Sequence, residues 1–456
     1  MNVIIVGCGR VGYIIAEHLS KENHDVTLVD SDENKLQAPL ANLDVQAVVG
    51  NGTTFSALKE AGVKNADILI AVTSEDEMNM ISCMIAKKAN PNCSTIARVR
   101  KPEYLPERNF FKNAIGMSMV INPELAAAKE IYSLISIPNA LEVDAFANGR
   151  IELLKVKVTE DSILNGMKVA DVSKKFDRKV LICILVHEGN VSIPNGSTVL
   201  SSGDMISVIL PKAYISTFYN SVSNSSLKTI KNVMIAGGGT TGYYLAEMLS
   251  DAGINVKIIE FDRARCEALS SQLSSRAEVI NGDAENRDTL LENGLENMDA
   301  FVALTTVDEE NIFLSLYANK VAPECKQITR IQKLEKDEII ASLPLGSIVV
   351  PRQLTAEYIL QHVRASMGRD SGSSVEALYE LMDGNVEALE FSISEENEVL
   401  NVPLADLKIK PSILVASIVR GKKFITPSGS DMIQLNDTVI IVTTVKGLDD
   451  ITDILD

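Results

Sequence analysis

This chain of 456 residues states one pattern twice, and that constrains its fold more than any other feature. Val3-Ile4-Ile5-Val6-Gly7-Cys8-Gly9-Arg10-Val11-Gly12 and Val233-Met234-Ile235-Ala236-Gly237-Gly238-Gly239-Thr240-Thr241-Gly242 stand 230 residues apart, and Asp30 and Glu260 keep that spacing. The offset becomes 232 at Asp67/Asp299, Thr73/Thr305, Asn79/Asn311 and Arg98/Arg330, dips to 228 at Pro123/Pro351, and is 233 at Asp204/Asp437. A register that drifts so little over a whole half is a duplication with small loop insertions and deletions.

Each copy divides again. In the first, apolar runs at 2–6, 25–29, 45–49, 67–72, 95–99 and 118–121 predict strands, and amphipathic stretches at 10–21, 54–61, 76–89 and 123–136 predict helices. That alternation predicts βαβ units and a parallel sheet. From Leu141 to Leu210 the character changes to short strands such as Ile151–Val156 and Leu181–Val186, bounded by turns such as Glu188-Gly189-Asn190. Tight reversals of this kind join antiparallel strands. Residues 376–445 repeat the style with Asp383-Gly384-Asn385, and the polar stretches Ser221–Ser226 and Ser371–Ser374 read as linkers. The expected organisation is 1–137 and 231–366 as α/β lobes, with 138–220 and 375–456 as small β-rich α+β modules.

The glycine loops give the lobes a chemistry. Each G-x-G-x-x-G follows a strand, opens a helix and precedes an acid 23 residues beyond its first glycine, which predicts a Rossmann-like, doubly wound sheet that holds a dinucleotide. Gly7 suits the tight turn, Gly9 lets backbone approach a pyrophosphate, and Gly12 lets the helix pack on the strand. The helix N-terminus adds unpaired N–H groups for phosphates. Asp30 suits ribose hydroxyls and would repel a 2′-phosphate, which favours NAD or an adenine nucleotide over NADP. The competing reading is that the turn needs these glycines only for packing. Arg10 is either a bidentate phosphate ligand or a solvated charge, and the second copy has Thr240 in its place. Ser74 and Asp76 lie at the sheet edge where ligands bind, or cap the next helix. Gly50-Asn51-Gly52-Thr53 supplies groups to an adenine edge or is a plain turn. Arg98-Val99-Arg100-Lys101 faces phosphates or a neighbouring chain, or is a solvated basic turn. The helix 123–136 carries an apolar stripe at Leu125, Ala128, Ile131, Tyr132 and Ile135, suited either to a partner helix or to core packing within one chain.

Composition narrows the classes. The net charge of −18 splits into −2 before residue 231 and −16 after it, which disfavours nucleic acid and anionic lipid as partners. No apolar run approaches the roughly 20 residues of a membrane span. The six cysteines are scattered, as expected of reduced, buried thiols, and four histidines without i, i+4 pairing disfavour zinc. A dehydrogenase needs a second domain that sets an acid or base beside the nicotinamide. The β-rich modules offer His187 alone, with no Ser/His/Asp, Cys/His or paired-His arrangement. The expectation is a non-enzyme with no catalytic and no metal-binding residues.

The doubled layout, with Gly7-Cys8-Gly9-Arg10-Val11-Gly12, Asp30, Gly50–Thr53, Ala71-Val72-Thr73 and Ile121-Asn122-Pro123-Glu124, resembles the TrkA family of peripheral potassium-uptake subunits. These are built from RCK modules (regulators of potassium conductance), each a nucleotide-binding lobe with a small C-terminal lobe. The resemblance implies a gating ring, a homotetramer on the cytoplasmic face of an integral-membrane Trk potassium transporter, responsive to NAD(H), ATP or ADP. Membrane association would run through that protein partner. It implies phosphate contact at Gly7, Gly9, Arg10 and Gly12, ribose contact at Asp30 and adenine-side contact near Asn51 and Thr73. Cys8, Val11, Ser31, Gly52, Thr53, Ala71, Ser74 and Arg98 lie beside them, and Glu124 near the phosphates. The second copy contributes Gly237, Gly239, Thr240, Thr241, Gly242, Glu260, Asp283 and Thr305. It departs from the pattern at Thr240 and at Arg352, which follows Pro351 where the first copy has Glu124. The same modules also regulate other cation channels and antiporters, which is the alternative within this class.

Overall fold

A computed structural model describes residues 1–104, 107–136, 143–146, 151–176, 180–211, 214–222, 230–332, 340, 343–370, 375–382, 385–421, 423–448 and 450–456. The chain separates into two compact units, one formed by residues 1–136 with 230–363, the other by the remainder.

The first unit holds both α/β lobes. Strands β1 (Asn2–Val6), β2 (Asp25–Asp30), β3 (Gln46–Val49), β4 (Ile68–Ala71), β5 (Ser94–Arg98) and β6 (Met119–Ile121) form one parallel sheet in the order β3-β2-β1-β4-β5-β6. The registers Val3↔Val26 and Val3↔Ile68 seat β1 at its centre. All four residues of β4 are buried, as expected of a parallel strand covered on both faces. The second lobe repeats the order with Ala277–Asn281, Asn255–Glu260, Asn232–Ala236, Ala300–Ala303, Lys326–Arg330 and Ser347–Val349. In each, the strand order reverses beside the first strand, so the glycine loop lies at the crevice where open α/β sheets take ligands.

Helices α1 (Arg10–Lys21), α3 (Phe55–Glu60), α4 (Asp76–Ala89) and α6 (Pro123–Ser136) lie where the periodicity places them. Two more, α2 (Glu33–Asn42) and α5 (Arg108–Ile115), were not legible. Helix α2 is capped by Asp32, whose side chain accepts from the Asn34 amide, but it contains Pro39, which reads as a breaker.

The stripe on α6 has its partner in the same chain. Ala127, Ala128, Ile131, Leu134 and Ile135 share one core cluster with Val233, Ile235, Leu245, Leu249, Val302 and Ile328 of the second lobe, and Leu125 and Tyr132 pack against it. The last helix of lobe one thus supplies part of the core of lobe two. At its end Lys326 Nζ donates to the Leu134 carbonyl at 2.6 Å, a cation on the C-terminal turn of a helix; burial pushes that ammonium down to about 8.

The second unit holds two antiparallel sheets of identical topology. Val143–Phe146, Ile151–Lys157, Met205–Pro211, Leu181–His187 and Asn190–Ser192 match Val375–Leu381, Val386–Ser392, Asp437–Thr443, Ile413–Arg420 and Lys423–Ile425 in order. Leu153, Cys183, Ile184 and Ile209 of one pack with Val386, Ala388, Ala416, Ile440 and Val442 of the other. The predicted turn at Glu188-Gly189 has φ of 50° and 83°, the positive pair a two-residue hairpin loop requires. Of the expected first linker, Ser221 and Val222 instead end a helix, Ile215–Val222, while 223–226, the linker 371–374 and the turn residues 383–384 lie outside the described residues.

Both modules bury one carboxylate at the same place and pair it differently. Arg420 Nε and Nη2 grip Asp437 at 2.8 Å each, whereas His187 Nδ1 lies 2.6 Å from Asp204 Oδ1. Asp204 draws the His187 imidazole above its ordinary value. A raised folded value means that the clasp contributes fully below about pH 6.5, the unfolded histidine value, and is lost as pH rises through the folded one.

Two outcomes check this architecture. Ile131→Ala should cost about 2–5 kcal/mol in urea unfolding and speed amide exchange in the second-lobe strand Asn232–Ala236 more than in β1. Raising pH from 6 to 9 should accelerate exchange in Met205–Pro211 after correction for intrinsic rate, and leave its arginine-clasped counterpart Asp437–Thr443 unchanged.

Candidate functional site

The rim of the first-lobe crevice is set by backbone. Gly7 has φ +99° and its amide donates to the Val29 carbonyl at 2.8 Å; a Cβ there would lie 2.8 Å from the Thr73 nitrogen. At Gly12 a Cβ would fall 2.1 Å from the Gly7 carbonyl oxygen, so only glycine lets α1 approach the loop. Gly9, which starts α1, meets nothing within 4 Å at the Cβ position. Neither lobe's first helix carries an acid in its first turn, which leaves the amides there open to an anion.

The opposite wall is fastened by Asn79, fully buried on α4. Its Oδ1 accepts from the Thr73 amide and hydroxyl at 2.8 and 2.7 Å, and its Nδ2 donates to the carbonyls of Thr73 and Arg98 at 3.2 and 2.8 Å. Arg98 Nη2 donates to the Thr73 carbonyl at 2.6 Å. Neither Ser74 nor Asp76 caps α4, whose first flanking residue is Glu75. Asp76, 2% exposed, instead accepts from the Arg100 and Lys101 amides at 2.8 Å each and pins the basic loop after β5.

Between these walls lies a cavity of about 450 Å³. Of the residues singled out from sequence, Gly7, Gly9, Arg10, Val11, Asp30, Ser31, Asn51, Gly52, Thr73, Ser74, Arg98 and Glu124 line it. Cys8, Gly12, Thr53 and Ala71 stand behind this wall: the Cys8 amide is taken by Asp30 Oδ2 at 2.8 Å, Thr53 turns on to Asn51 Oδ1 at 2.9 Å, and Ala71 is core. Asp30 therefore shapes the loop as well as facing the cavity, since its Oδ1 also accepts from the Asp32 amide at 2.9 Å.

The second lobe completes the cavity. Thr241, Arg330, Gln332, Pro351, Arg352 and Thr355 line it together with Lys35, Met78 and Arg100 of the first. Thr240 lines a smaller cavity of about 300 Å³ with Ser74, Asp76, Arg100, Lys101 and Glu124. Thr240 and Thr241, expected in the second copy's own pocket, thus face first-lobe residues. The larger cavity gathers six cations: Arg10, Lys35, Arg98, Arg100, Arg330 and Arg352. Desolvation lowers Arg98 and Arg330 below their ordinary values and lifts Glu124, against the pull of Arg100 and Arg98. The Nε atoms of Arg98, Arg100 and Arg330 and Glu124 Oε2 are buried without a hydrogen-bond partner among the described residues. Buried guanidinium groups so placed favour an anion with several oxygen acceptors.

The second copy repeats the frame and changes the electrostatics. Gly237 has φ +108°, a Cβ at Gly242 would lie 2.4 Å from the Gly237 carbonyl oxygen, and Gly239, like Gly9, meets nothing within 4 Å. Asn311 Oδ1 accepts from the Thr305 amide at 2.8 Å, as Asn79 does for Thr73. Glu260 is one methylene longer than Asp30, yet still accepts the Gly238 and Asp262 amides at 2.7 and 2.8 Å; the room comes from Gly238, where a Cβ would lie 3.0 Å from Glu260 Oε2. Around it, Asp283 replaces Asn51, and Glu310 holds the Glu285 carboxyl above its ordinary value. Arg265, at the position of Lys35, donates Nε to the Gly238 carbonyl at 2.7 Å, so this loop keeps a cation among its acids.

Models of the TrkA-N domain match residues 3–123 and 233–351, and models of the TrkA-C domain match 153–223 and 388–456. The chain belongs to the TrkA family. The Trk system potassium uptake protein TrkA of Haemophilus influenzae is 31% identical over 452 residues, spanning 98% of this chain and 96% of the relative. A TrkA homolog from Archaeoglobus fulgidus is 30% identical over 441 residues, 97% of each. Both relatives are named as potassium-uptake proteins of a Trk system. Among solved structures, the GsuK channel bound to NAD shares the fold over 98% of this chain and 77% of that one, with a TM-score of 0.62 at 16% identity. The six cations on this one crevice stand against a net charge of −18 for the chain. Among the described residues no helix is long and apolar enough to cross a membrane.

The two glycines at the start of α1 separate packing from binding. Gly12→Ala should destabilise the chain by about 1–3 kcal/mol in calorimetry. Gly9→Ser, at an open helix cap with ordinary φ, should stay within about 0.5 kcal/mol of the parent.

Proposed function

We propose that this chain is the nucleotide-responsive regulatory subunit of a potassium-uptake system, holding NAD(H), ATP or ADP in the first-lobe cavity and passing its occupancy to a membrane-embedded transporter. On this reading it acts as a homo-oligomeric ring, a tetramer, at the cytoplasmic face of the cell membrane, and associates with the membrane through that protein partner. The observation that carries the reading is the composition of the cavity: one crevice, lined by both lobes, with six cations in an acidic protein. Phosphates meet the start of α1 at Gly9 and Arg10 with Arg98 and Arg100, and the ribose meets Asp30. Asn51, Gly52 and Thr73 stand on the adenine side.

A ligand moves an equilibrium only by its differential affinity for the two states, typically about 1–3 kcal/mol per coupling. A cavity whose walls belong to two lobes supplies that difference, because any change at the seam changes the contacts on the ligand. The second copy has Thr240 and Gln332 where the first has Arg10 and Arg100, and Asp283 where it has Asn51; fewer cations and an added acid disfavour the same anion there, so the two copies are read as unequal sites.

Isothermal titration of the full chain with ADP, ATP, NAD and NADH should give saturable binding to at least one of them, weakening steeply as salt rises. Gly9→Asp keeps a favourable helix cap and places a carboxylate in the phosphate position; it should melt with the parent and bind none of the four. Undiminished binding by Gly9→Asp would falsify this placement.

A further inference from the structure

A site for anions that contains an acid must neutralise that acid or suffer its repulsion, and this crevice contains two. Asp30 commits its carboxylate to the Cys8 and Asp32 amides. Glu124 is placed differently: it lines both cavities, and its Oε2 is buried without a hydrogen-bond partner among the described residues. The charged groups around it are turned elsewhere. From β5 and the loop after it, Arg98 donates to the Thr73 carbonyl, and Arg100 donates to the Ser74 carbonyl and lies 3.7 Å from Asp76 Oδ1. From the strand Lys326–Arg330, Arg330 donates to the Thr305 carbonyl. At the start of α4, Asp76 accepts two backbone amides beside Glu75, and Lys101 pairs with Glu77. Across the seam, the helix Thr240–Asp251 offers no cation. It presents Thr240 where the first copy has Arg10, and Tyr244, whose buried hydroxyl has no hydrogen-bond partner among the described residues. Burial lifts the Glu124 carboxyl above its ordinary value, with Asp76 adding to the rise, against its own amide and the through-space pull of Arg100 and Arg98. Burial and the charge of Glu124 push the Tyr244 phenol up to about 12, so that group stays protonated across neutral pH.

We infer that Glu124 takes up a proton when a nucleotide occupies the crevice, and as a neutral acid donates a hydrogen bond to a phosphate oxygen. A polyanion adds like charge beside this carboxylate, which disfavours its ionised form. Protonation removes the repulsion and converts an acceptor into a donor. The inference rests on the nucleotide reading of the cavity and adds a second input to it, since the crevice then answers to pH as well as to nucleotide. The bound acid holds its proton to higher pH than the free one. Affinity is therefore full at low pH, where both states are protonated, and is lost as pH rises through the bound value.

The test is calorimetric titration of ADP and of NAD into the full chain and into Glu124→Gln at pH 5.5, 7 and 8, each in buffers of low and high ionisation enthalpy. The parent should take up more protons per ligand than the variant, by up to one. Measured relative to the variant, which cancels titration of the ligand itself, parent affinity should fall at least about three-fold from pH 5.5 to pH 8. At pH 8 Glu124→Gln should bind more tightly than the parent, because its amide donates without needing a proton. NAD, whose bridging phosphates stay ionised over this range, reads the protons of the protein alone, so the parent is informative even if the variant does not fold. Infrared spectra of bound minus free parent should show a new protonated-carboxyl band that Glu124→Gln lacks. Equal proton counts in parent and variant overturn the proton-linked role while the nucleotide site stands. So does weaker binding by the variant at every pH, the result required by an ionised carboxylate that carries a cation. Absence of binding of ADP, ATP, NAD and NADH to the parent overturns both.

Discussion

The rest of the structure depends on the burial of α6 in a core that is not its own. Ile131, Leu134 and Ile135 are buried in one cluster with Val233, Ile235 and Leu249 of the second lobe. An isolated first lobe ending near residue 136 would expose that face. The hydrophobic cluster therefore fixes the angle at which two α/β sheets confront each other, and with it which side chains can share a crevice.

That geometry explains how an acidic chain accommodates a basic interior. Of its net charge, −16 lies after residue 230, yet Arg330 and Arg352 from this half are turned toward the first lobe's crevice. Acids such as Glu260, Asp283, Glu285 and Glu310 stay around the second copy's own loop. Mean charge describes the molecule poorly; the sign alternates over the width of one crevice, and Asp76 and Asn79 hold the first-lobe side of it by satisfying backbone groups.

Much of this was legible in the sequence, and the boundary between what was and was not has a physical origin. The sheets, the glycine loops and the place of Asp30 beside the first of them depend on contacts within a few tens of residues, and the duplication checks each against a second instance. The roles of Arg330, Gln332, Arg352 and Thr355 in the first crevice depend on contacts across more than two hundred residues, where periodicity carries no information. The apolar stripe of 123–136 signalled a partner without naming it. Helix α2 was hidden by Pro39, and the two amides on the Asp30 carboxylate, from Cys8 and Asp32, follow from backbone curvature that no motif encodes.

Covalent fusion of the two copies has a consequence for stoichiometry. Two identical subunits related by a dyad would carry the same residue at both ends of their shared seam, so every feature would appear in duplicate. Joined head to tail, positions 10 and 124 were released from that requirement, and the polypeptide carries Arg10 beside Arg352 at one end and Thr240 beside Glu124 at the other. Such a pair is polar across its pseudo-dyad, and an assembly built from it has half as many equivalent cationic ends as it has lobes.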